Sequence, residues 1–194
     1  MARRVRDFRG WCYRLIPGWS LGLASKRRAG FERRWHLEVG GFTKEGFFRI
    51  LQKNILAKIR VGNFYELVVG DGQVGSLGVW LEQGGGGWRV EAWEHRPHPL
   101  EAFRKNRPGT EIHGGRLTTW AEEKRKADPA GITSRGSRES AAICREIRNG
   151  QIRPGFVGIW NPTRRPVWMH RLGRAGYRLE MIYERMEFYR KVRS

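Results

Sequence analysis

The stretch Glu66-Leu67-Val68-Val69-Gly70-Asp71-Gly72-Gln73-Val74-Gly75 decides the fold of this chain. It joins a short run of β-forming residues, 64–69, to a turn with glycines at three positions, and apolar residues at helical spacing follow over 76–82. A strand, a glycine turn and a helix in this order allow the backbone to approach a nucleotide closely, and the start of the helix is expected to offer it free N–H groups. We therefore predict that the turn binds a nucleoside cofactor.

Strand-like and helix-like stretches alternate along the rest of the chain. Runs of β-branched and aromatic residues predict strands, and apolar residues recurring every three or four positions predict helices. The predicted strands are 64–69, 88–93, 110–113, a fourth beginning near 131–133, and 155–160; the predicted helices are 43–58, 76–82, 97–106, 121–127, 137–148 and 166–172; residues 177–183 and 186–189 are predicted to form a terminal hairpin. The alternation indicates an α/β, Rossmann-like fold, with a mostly parallel sheet, helices on both faces and a C-terminal antiparallel hairpin.

The length of 194 residues suits one α/β domain with an extension. We assign residues 1–42 to a basic, aromatic N-terminal extension and residues 43–194 to the Rossmann-like domain. In the extension, Pro17 and several glycines interrupt helical periodicity. This segment either packs onto the domain or lies on anionic lipid or phosphate, with Trp at the interface.

The chain is strongly basic, because 38 Lys and Arg against 19 Asp and Glu give a formal net charge of +19. Such a field attracts an anionic partner, either a nucleic acid or a lipid surface, unless it only reflects surface composition. No apolar run is long enough to predict a transmembrane segment. Cys12 and Cys144 lie far apart without metal-ligand spacing, so we expect no metal site. The expected location is the cytoplasm, either free or peripheral to the membrane.

An acid follows the second predicted strand. Glu94 lies at the end of that strand, a little over twenty residues beyond the glycine turn. At this position a carboxylate faces the ligand crevice and can accept hydrogen bonds from both hydroxyls of a ribose. The alternative is a surface acid that pairs with Arg96.

The segment Glu66-Leu67-Val68-Val69-Gly70-Asp71-Gly72 resembles the first motif of class I S-adenosylmethionine-dependent methyltransferases, in which an acid is followed by glycines at alternate positions. Val68 stands where the first glycine usually is. The stretch from Trp93-Glu94-His95-Arg96-Pro97 to Phe103-Arg104-Lys105-Asn106 is similar to the second motif and following helix of FkbM-like methyltransferases. The resemblance covers about residues 62–120.

This resemblance implies S-adenosylmethionine as the cofactor. It also implies that Glu66 orients the turn near the methionine moiety, that Gly70 and Gly72 let the cofactor lie against the backbone, and that Glu94 holds the ribose. The cofactor-binding residues predicted in this way are Glu66, Gly70, Asp71, Gly72, Gln73, Gly75, Ser76, Glu94 and His95.

The chain also departs from the family pattern. FkbM-like enzymes typically carry an acidic motif after the fourth strand, where this chain has 132–139 without an Asp, and the third motif at 114–117 lacks an acid. The candidate bases are His95, His98 and His113, since imidazole titrates near neutrality, but no base is assigned. The tract 162–168, with Arg164, Arg165 and Trp168, either grips an anionic acceptor or simply begins a helix.

Three functions follow from these observations. The leading hypothesis is a methyltransferase that methylates an oxygen of a sugar, a glycolipid or another small acceptor. The charge supports an RNA-binding protein or a nucleic-acid methyltransferase as an alternative. Val68 and the missing acid support a catalytically silent Rossmann-like scaffold as a third.

Overall fold

The structure is a computed structural model that describes residues 50–73, 76–84, 86–114, 128–162, 167–183 and 185–192. Helical residues 50–54 and a 3-10 helix, Leu56–Lys58, precede the sheet. The strands are β1 (Asn63–Leu67), β2 (Arg89–Glu94), β3 (Glu111–Gly114), β4 (Gly131–Ser134), β5 (Phe156–Trp160), β6 (Tyr177–Tyr183) and β7 (Met186–Lys191). The helices between them are α1 (Leu77–Gln83), α2 (Pro97–Asn106), α3 (Ser137–Arg148) and α4 (Val167–Arg174).

The strands form one sheet in the order β3-β2-β1-β4-β5-β7-β6. The five strands from β3 to β5 are parallel, whereas β7 is antiparallel to both β5 and β6. The chain passes from β5 through α4 to β6 at the edge of the sheet and then returns with β7 beside β5. The predicted parallel sheet and terminal hairpin are both confirmed.

Helices cover both faces of this sheet. Successive side chains of a strand point to opposite faces, and in β1 Phe64 packs in a cluster with Leu77 and Leu81 of α1. Its neighbour Tyr65 packs in another cluster with Ile143 of α3. The two clusters place α1 on one face, hereafter the α1 face, and α3 on the other, the α3 face.

The predicted elements agree closely with the observed ones. The helices predicted at 97–106 and 137–148 have the observed bounds, and the strand ends differ by one or two residues. Of the predicted helix 43–58, residues 43–49 lie outside the described residues, residues 50–54 are helical, and the 3-10 turn follows them. The predicted extension 1–42, the predicted helix 121–127 and Gly75 lie outside the described residues. None of the described helices is both long and apolar enough to cross a lipid bilayer.

Candidate functional site

The glycine turn follows β1 at the carboxyl edge of the parallel strands. Gly70 and Gly72 have φ values of +64° and +78°, a region that favours glycine. A Cβ on Gly72 would lie 2.4 Å from the ring of Phe103, so no larger residue fits without displacing that ring. A Cβ on Gly70 would meet no described atom within 4 Å. The turn therefore packs closely at Gly72 and has free space beside the Cα of Gly70 among the described atoms.

Two hydrogen bonds fix the shape of this turn. Oδ1 of Asp71 accepts from the backbone N–H of Gln73 at 3.0 Å, and Nδ2 of Asn106 donates to the carbonyl of Asp71, also at 3.0 Å. The side chain of Gln73 is exposed. Asn106 ends α2, so this amide ties the helix after β2 to the turn after β1.

Glu66 is buried beneath the turn, on the α1 face. Its carboxylate accepts from Oγ of Ser76 at 2.7 Å and from the backbone N–H groups of Leu77 and Gly78 at 2.9 and 3.3 Å. Burial raises the pKa of Glu66, opposed by the bond from Ser76, the charge of Arg107 and the two backbone bonds. Glu66 thus binds the first backbone N–H groups of α1 from inside the domain.

This contact corrects one expectation about α1. The helix following the turn was expected to offer free N–H groups to a ligand, but those of Leu77 and Gly78 bind Glu66, and that of Val79 donates to Oγ of Ser76 at 3.3 Å. Ser76 is 4% exposed and its hydroxyl donates to Glu66. A role of Ser76 toward a cofactor stays a prediction.

Arg107 completes the buried cluster, and sequence reasoning missed it. Its Nη1 donates to Oγ of Ser76 at 3.1 Å and lies 3.7 Å from Oε2 of Glu66. Its Nη2 lies 2.8 Å from Oε2 of Glu82, and its guanidinium stacks over Phe103 at 4.7 Å from the ring centroid. A basic residue just past a helix carries no sequence signal of burial, because Arg is mostly exposed in proteins.

Glu94 meets the glycine turn at the end of β2. Its Oε2 accepts from the backbone N–H of Gly70 at 3.0 Å, and the carboxylate is fully buried. The alternative partner is present too, since Arg96 donates to both oxygens of Glu94 at 2.8 Å. Burial alone would raise the pKa of Glu94, but the hydrogen bonds from Arg96 and Gly70 outweigh it and hold this pKa below its ordinary value. The acid is therefore ionised near neutrality.

The candidate bases occupy different places. His95 is half exposed, with Nδ1 3.7 Å from Oε1 of Glu94, and His98 is exposed on α2. His113 stacks on Trp93 with ring centroids 4.7 Å apart, and Nε2 lies 3.1 Å from Glu111. Only His95 therefore lies next to the predicted ribose acid.

His113 also belongs to a separate cluster on the α3 face, together with Glu91 and Glu111. One ligand atom from each of these side chains lies within 4.8 Å of the others. Side chains alternate between the two faces along β2, so Glu91 and Trp93 point to the face opposite to that of Glu94. Glu94 and Glu66 share the α1 face, so the cluster lies on the face of the sheet opposite to Glu66. It is thus distinct from the glycine turn.

The end of β4 lies on the other side of β1 from β2. Oγ of Ser134 accepts from the backbone N–H of Gly136 at 3.0 Å, and Arg135 is exposed. Val68 has φ +60°, and its Cγ2 lies 3.0 Å from where a Cβ on Gly136 would be. A β-branched side chain thus occupies a glycine-like conformation and packs against the turn after β4.

The basic tract at 162–168 is described only in part, because residues 163–166 lie outside the described residues. Trp168 packs against the core cluster of the α3 face, and the guanidinium of Arg171 stacks on it at 5.6 Å. This placement favours the interpretation of Trp168 as the beginning of a packed helix.

No protein-family model and no curated protein matches the sequence. Solved structures do match in fold. A putative caffeoyl-CoA O-methyltransferase from Staphylococcus aureus has 13% identity and a TM-score of 0.56, covering 82% of this chain and 90% of that one. The Methanococcus jannaschii fibrillarin pre-rRNA processing protein has 11% identity and a TM-score of 0.52, covering 69% and 67%. The METTL16 MTase domain has 12% identity and a TM-score of 0.50, covering 75% and 65%.

The fold is the Rossmann-like fold of methyltransferases. At these identities the likeness is one of architecture, and the similar structures include both a putative caffeoyl-CoA O-methyltransferase and a pre-rRNA processing protein.

Proposed function

We propose that this chain is an S-adenosylmethionine-dependent methyltransferase that methylates an oxygen of a sugar, a glycolipid or another small acceptor, as its resemblance to FkbM-like enzymes implies. The observation that carries the proposal is the contact of Gly70 with Glu94, at 3.0 Å between the backbone nitrogen and Oε2. It brings an open stretch of backbone and a buried carboxylate to one edge of the sheet. A nucleoside would place its ribose on the acid and extend along the glycine turn.

The residues around the turn fit this cofactor. Bound S-adenosylmethionine supplies an electrophilic methyl group on a sulfonium. The chain would orient it through the backbone at Gly70 and Gly72 and through Glu94, with Asp71 and Gln73 shaping the turn. The acceptor must then lie in line with the methyl group, and a base is needed only if the acceptor has to lose a proton. His95 is the candidate for such a contact at the rim, and we assign it no catalytic step.

Thermal unfolding with S-adenosylhomocysteine tests the proposal. A ligand that binds only the folded state at about one hundred times its Kd stabilises by about 2.7 kcal/mol. We expect the midpoint to rise for the unmodified chain and not for Glu94→Gln. The matched control is Glu111→Gln, which removes an acid from the adjacent strand β3 that is ion-paired with Arg89 at 3.3 Å. No stabilisation of the unmodified chain, or equal stabilisation of Glu94→Gln, would contradict the proposal.

A nucleic acid is the second candidate partner, favoured by the net charge of +19 and by exposed Arg96, Arg135 and Arg138 near the carboxyl edge of the sheet. Binding of a labelled RNA should then weaken linearly with salt on a double logarithmic scale. Binding that ignores salt would remove this candidate. The same assay with anionic vesicles in place of RNA tests a lipid surface as the partner. A cytoplasmic enzyme that binds such vesicles would be peripheral to the membrane.

A scaffold without catalysis is the third candidate. It is favoured by Val68 at the first glycine position and by the absence of a carboxylate in 132–135, at the end of β4. Such a scaffold would bind S-adenosylhomocysteine without turnover. Methyl transfer from labelled S-adenosylmethionine to any acceptor would contradict it.

A further inference from the structure

The carboxylate of Glu94 has no acceptor position left. An ionised carboxylate offers about four lone-pair positions. Oε1 accepts from the backbone N–H and Nε of Arg96 at 3.0 and 2.8 Å. Oε2 accepts from the backbone N–H of Gly70 and Nη2 of Arg96 at 3.0 and 2.8 Å. The two hydroxyls of a ribose therefore need positions that are already filled.

The side chain of Arg96 is the partner that can leave. The other two donors are backbone N–H groups in the glycine turn and just after β2, and they are fixed by the chain. The guanidinium is 48% exposed and binds as a two-pronged fork, one nitrogen to each oxygen. The guanidinium makes two hydrogen bonds to Glu94, the same number that the two hydroxyls of a ribose would make.

We propose that Arg96 competes with the ribose of a nucleoside for Glu94 and releases this carboxylate when the nucleoside binds. This inference rests on the proposed function, because it takes Glu94 as the ribose acceptor. Arg96 is then a positioning residue that acts through Glu94 and sets both affinity and specificity. A ligand with both ribose hydroxyls free replaces both bonds of the fork, whereas a 2′-deoxy ligand replaces only one. The site should therefore select ribonucleosides over 2′-deoxynucleosides.

Calorimetric titration of the full chain with S-adenosylhomocysteine tests the proposal. Removing the competitor in Arg96→Met should tighten binding by roughly two- to fivefold, the range expected for a partly exposed ion pair. The affinity of Arg96→Lys should fall between those of Arg96→Met and the unmodified chain, because an ammonium cannot form the two-pronged fork. The matched control is Arg89→Met, which removes an exposed arginine paired with Glu111 and should leave the affinity unchanged.

Salt supplies a readout that a purely structural role would not move. Added salt screens the partly exposed fork, so the affinity of the unmodified chain for this ligand, which has no net charge, should rise with salt. The affinity of Arg96→Met should be independent of salt.

The outcomes separate the two proposals. Suppose that the unmodified chain binds S-adenosylhomocysteine and Glu94→Gln does not. If Arg96→Met then binds this ligand no more tightly than the unmodified chain does, the competition is overturned and the proposed function stays intact. No binding by either the unmodified chain or Arg96→Met overturns both. Damage to the fold would weaken binding, so tighter binding by Arg96→Met supports the competition.

Discussion

Oε2 of Glu66 lies 2.7 Å from the point at which a Cβ on Gly78 would stand, and Val90 Cγ1 lies 2.8 Å from the same point. Gly78 is the second residue of α1, and its small size lets the buried acid reach the start of the helix. Because real Cβ atoms do not approach this closely, Gly78→Ala should cost about 2 kcal/mol or more in the free energy of unfolding. It should do so although alanine favours helices over glycine by about 1 kcal/mol.

Gly173 is the control for this change. It also lies within a helix, α4, and a Cβ there would meet no described atom within 4 Å. Gly173→Ala should therefore stabilise the chain by up to about 1 kcal/mol. Urea unfolding of both variants measures the difference, and destabilisation by both to the same extent would contradict the role given to Gly78.

Val68 carries the second prediction, because its φ of +60° is costly for a β-branched residue. Val68→Gly loses the packing on Gly136 and adds chain entropy to the unfolded state, but it relieves this strain. The free energy of unfolding should therefore stay within about 1 kcal/mol of the unmodified value. Val69 is the comparison, since it is fully buried and has no positive φ. Val69→Gly should cost about 3 kcal/mol, and a similar cost for Val68→Gly would show that residue 68 is not strained.

Local sequence specified much of this architecture. The start of α2 was predictable because Pro97 fits the first turn of a helix, and the end of α3 because a glycine, Gly150, follows it and takes a φ of +72°. Glu94 could be found in the same way, since a fixed chain length separates the ends of two neighbouring parallel strands. These signals all depend on residues close in sequence.

The parts that escaped prediction depend on contacts between distant residues. Nothing near Arg107 indicates that it lies under the glycine turn, between Glu66 and Glu82. The same holds for β7, whose sequence gives no reason to lie beside β5 rather than at the edge. Arg96 was recognised as a partner of Glu94, but the filling of both carboxylate oxygens appears only in the geometry.

Arg107 provides the third prediction. Its side chain is 6% exposed and contacts the carboxylates of Glu66 and Glu82. Arg107→Met should cost about 3 kcal/mol in the free energy of unfolding, because it removes the hydrogen bond to buried Ser76 and the cation that Glu66 and Glu82 share. Arg145→Met is the control, since Arg145 pairs with its neighbour Glu146 at 3.2 Å while 59% exposed, and it should change stability by less than about 1 kcal/mol. Equal costs for the two variants would contradict a special role for Arg107.

The two acids at the site should have opposite effects on stability as the pH changes. The pKa of Glu66 is above its ordinary value of 4.5, because burial outweighs the bonds from Ser76, Leu77 and Gly78 and the charge of Arg107. Between the ordinary and the raised pKa, the folded state therefore holds a proton that the unfolded state has released. The stabilising contribution of Glu66 is therefore full below pH 4.5 and is lost as the pH rises through the raised pKa.

For Glu94 the sign is reversed, since the bonds from Arg96 and Gly70 outweigh burial and lower its pKa. Its contribution is present above pH 4.5, its ordinary pKa, and is lost as the pH falls through the lowered value. Urea unfolding of the unmodified chain, Glu66→Gln and Glu94→Gln between about pH 3 and pH 8 measures both effects. The stability difference from the unmodified chain should shrink toward high pH for Glu66→Gln and toward low pH for Glu94→Gln. If the stability difference changes in the same direction with pH for both variants, the pKa values of Glu66 and Glu94 are not shifted in opposite directions.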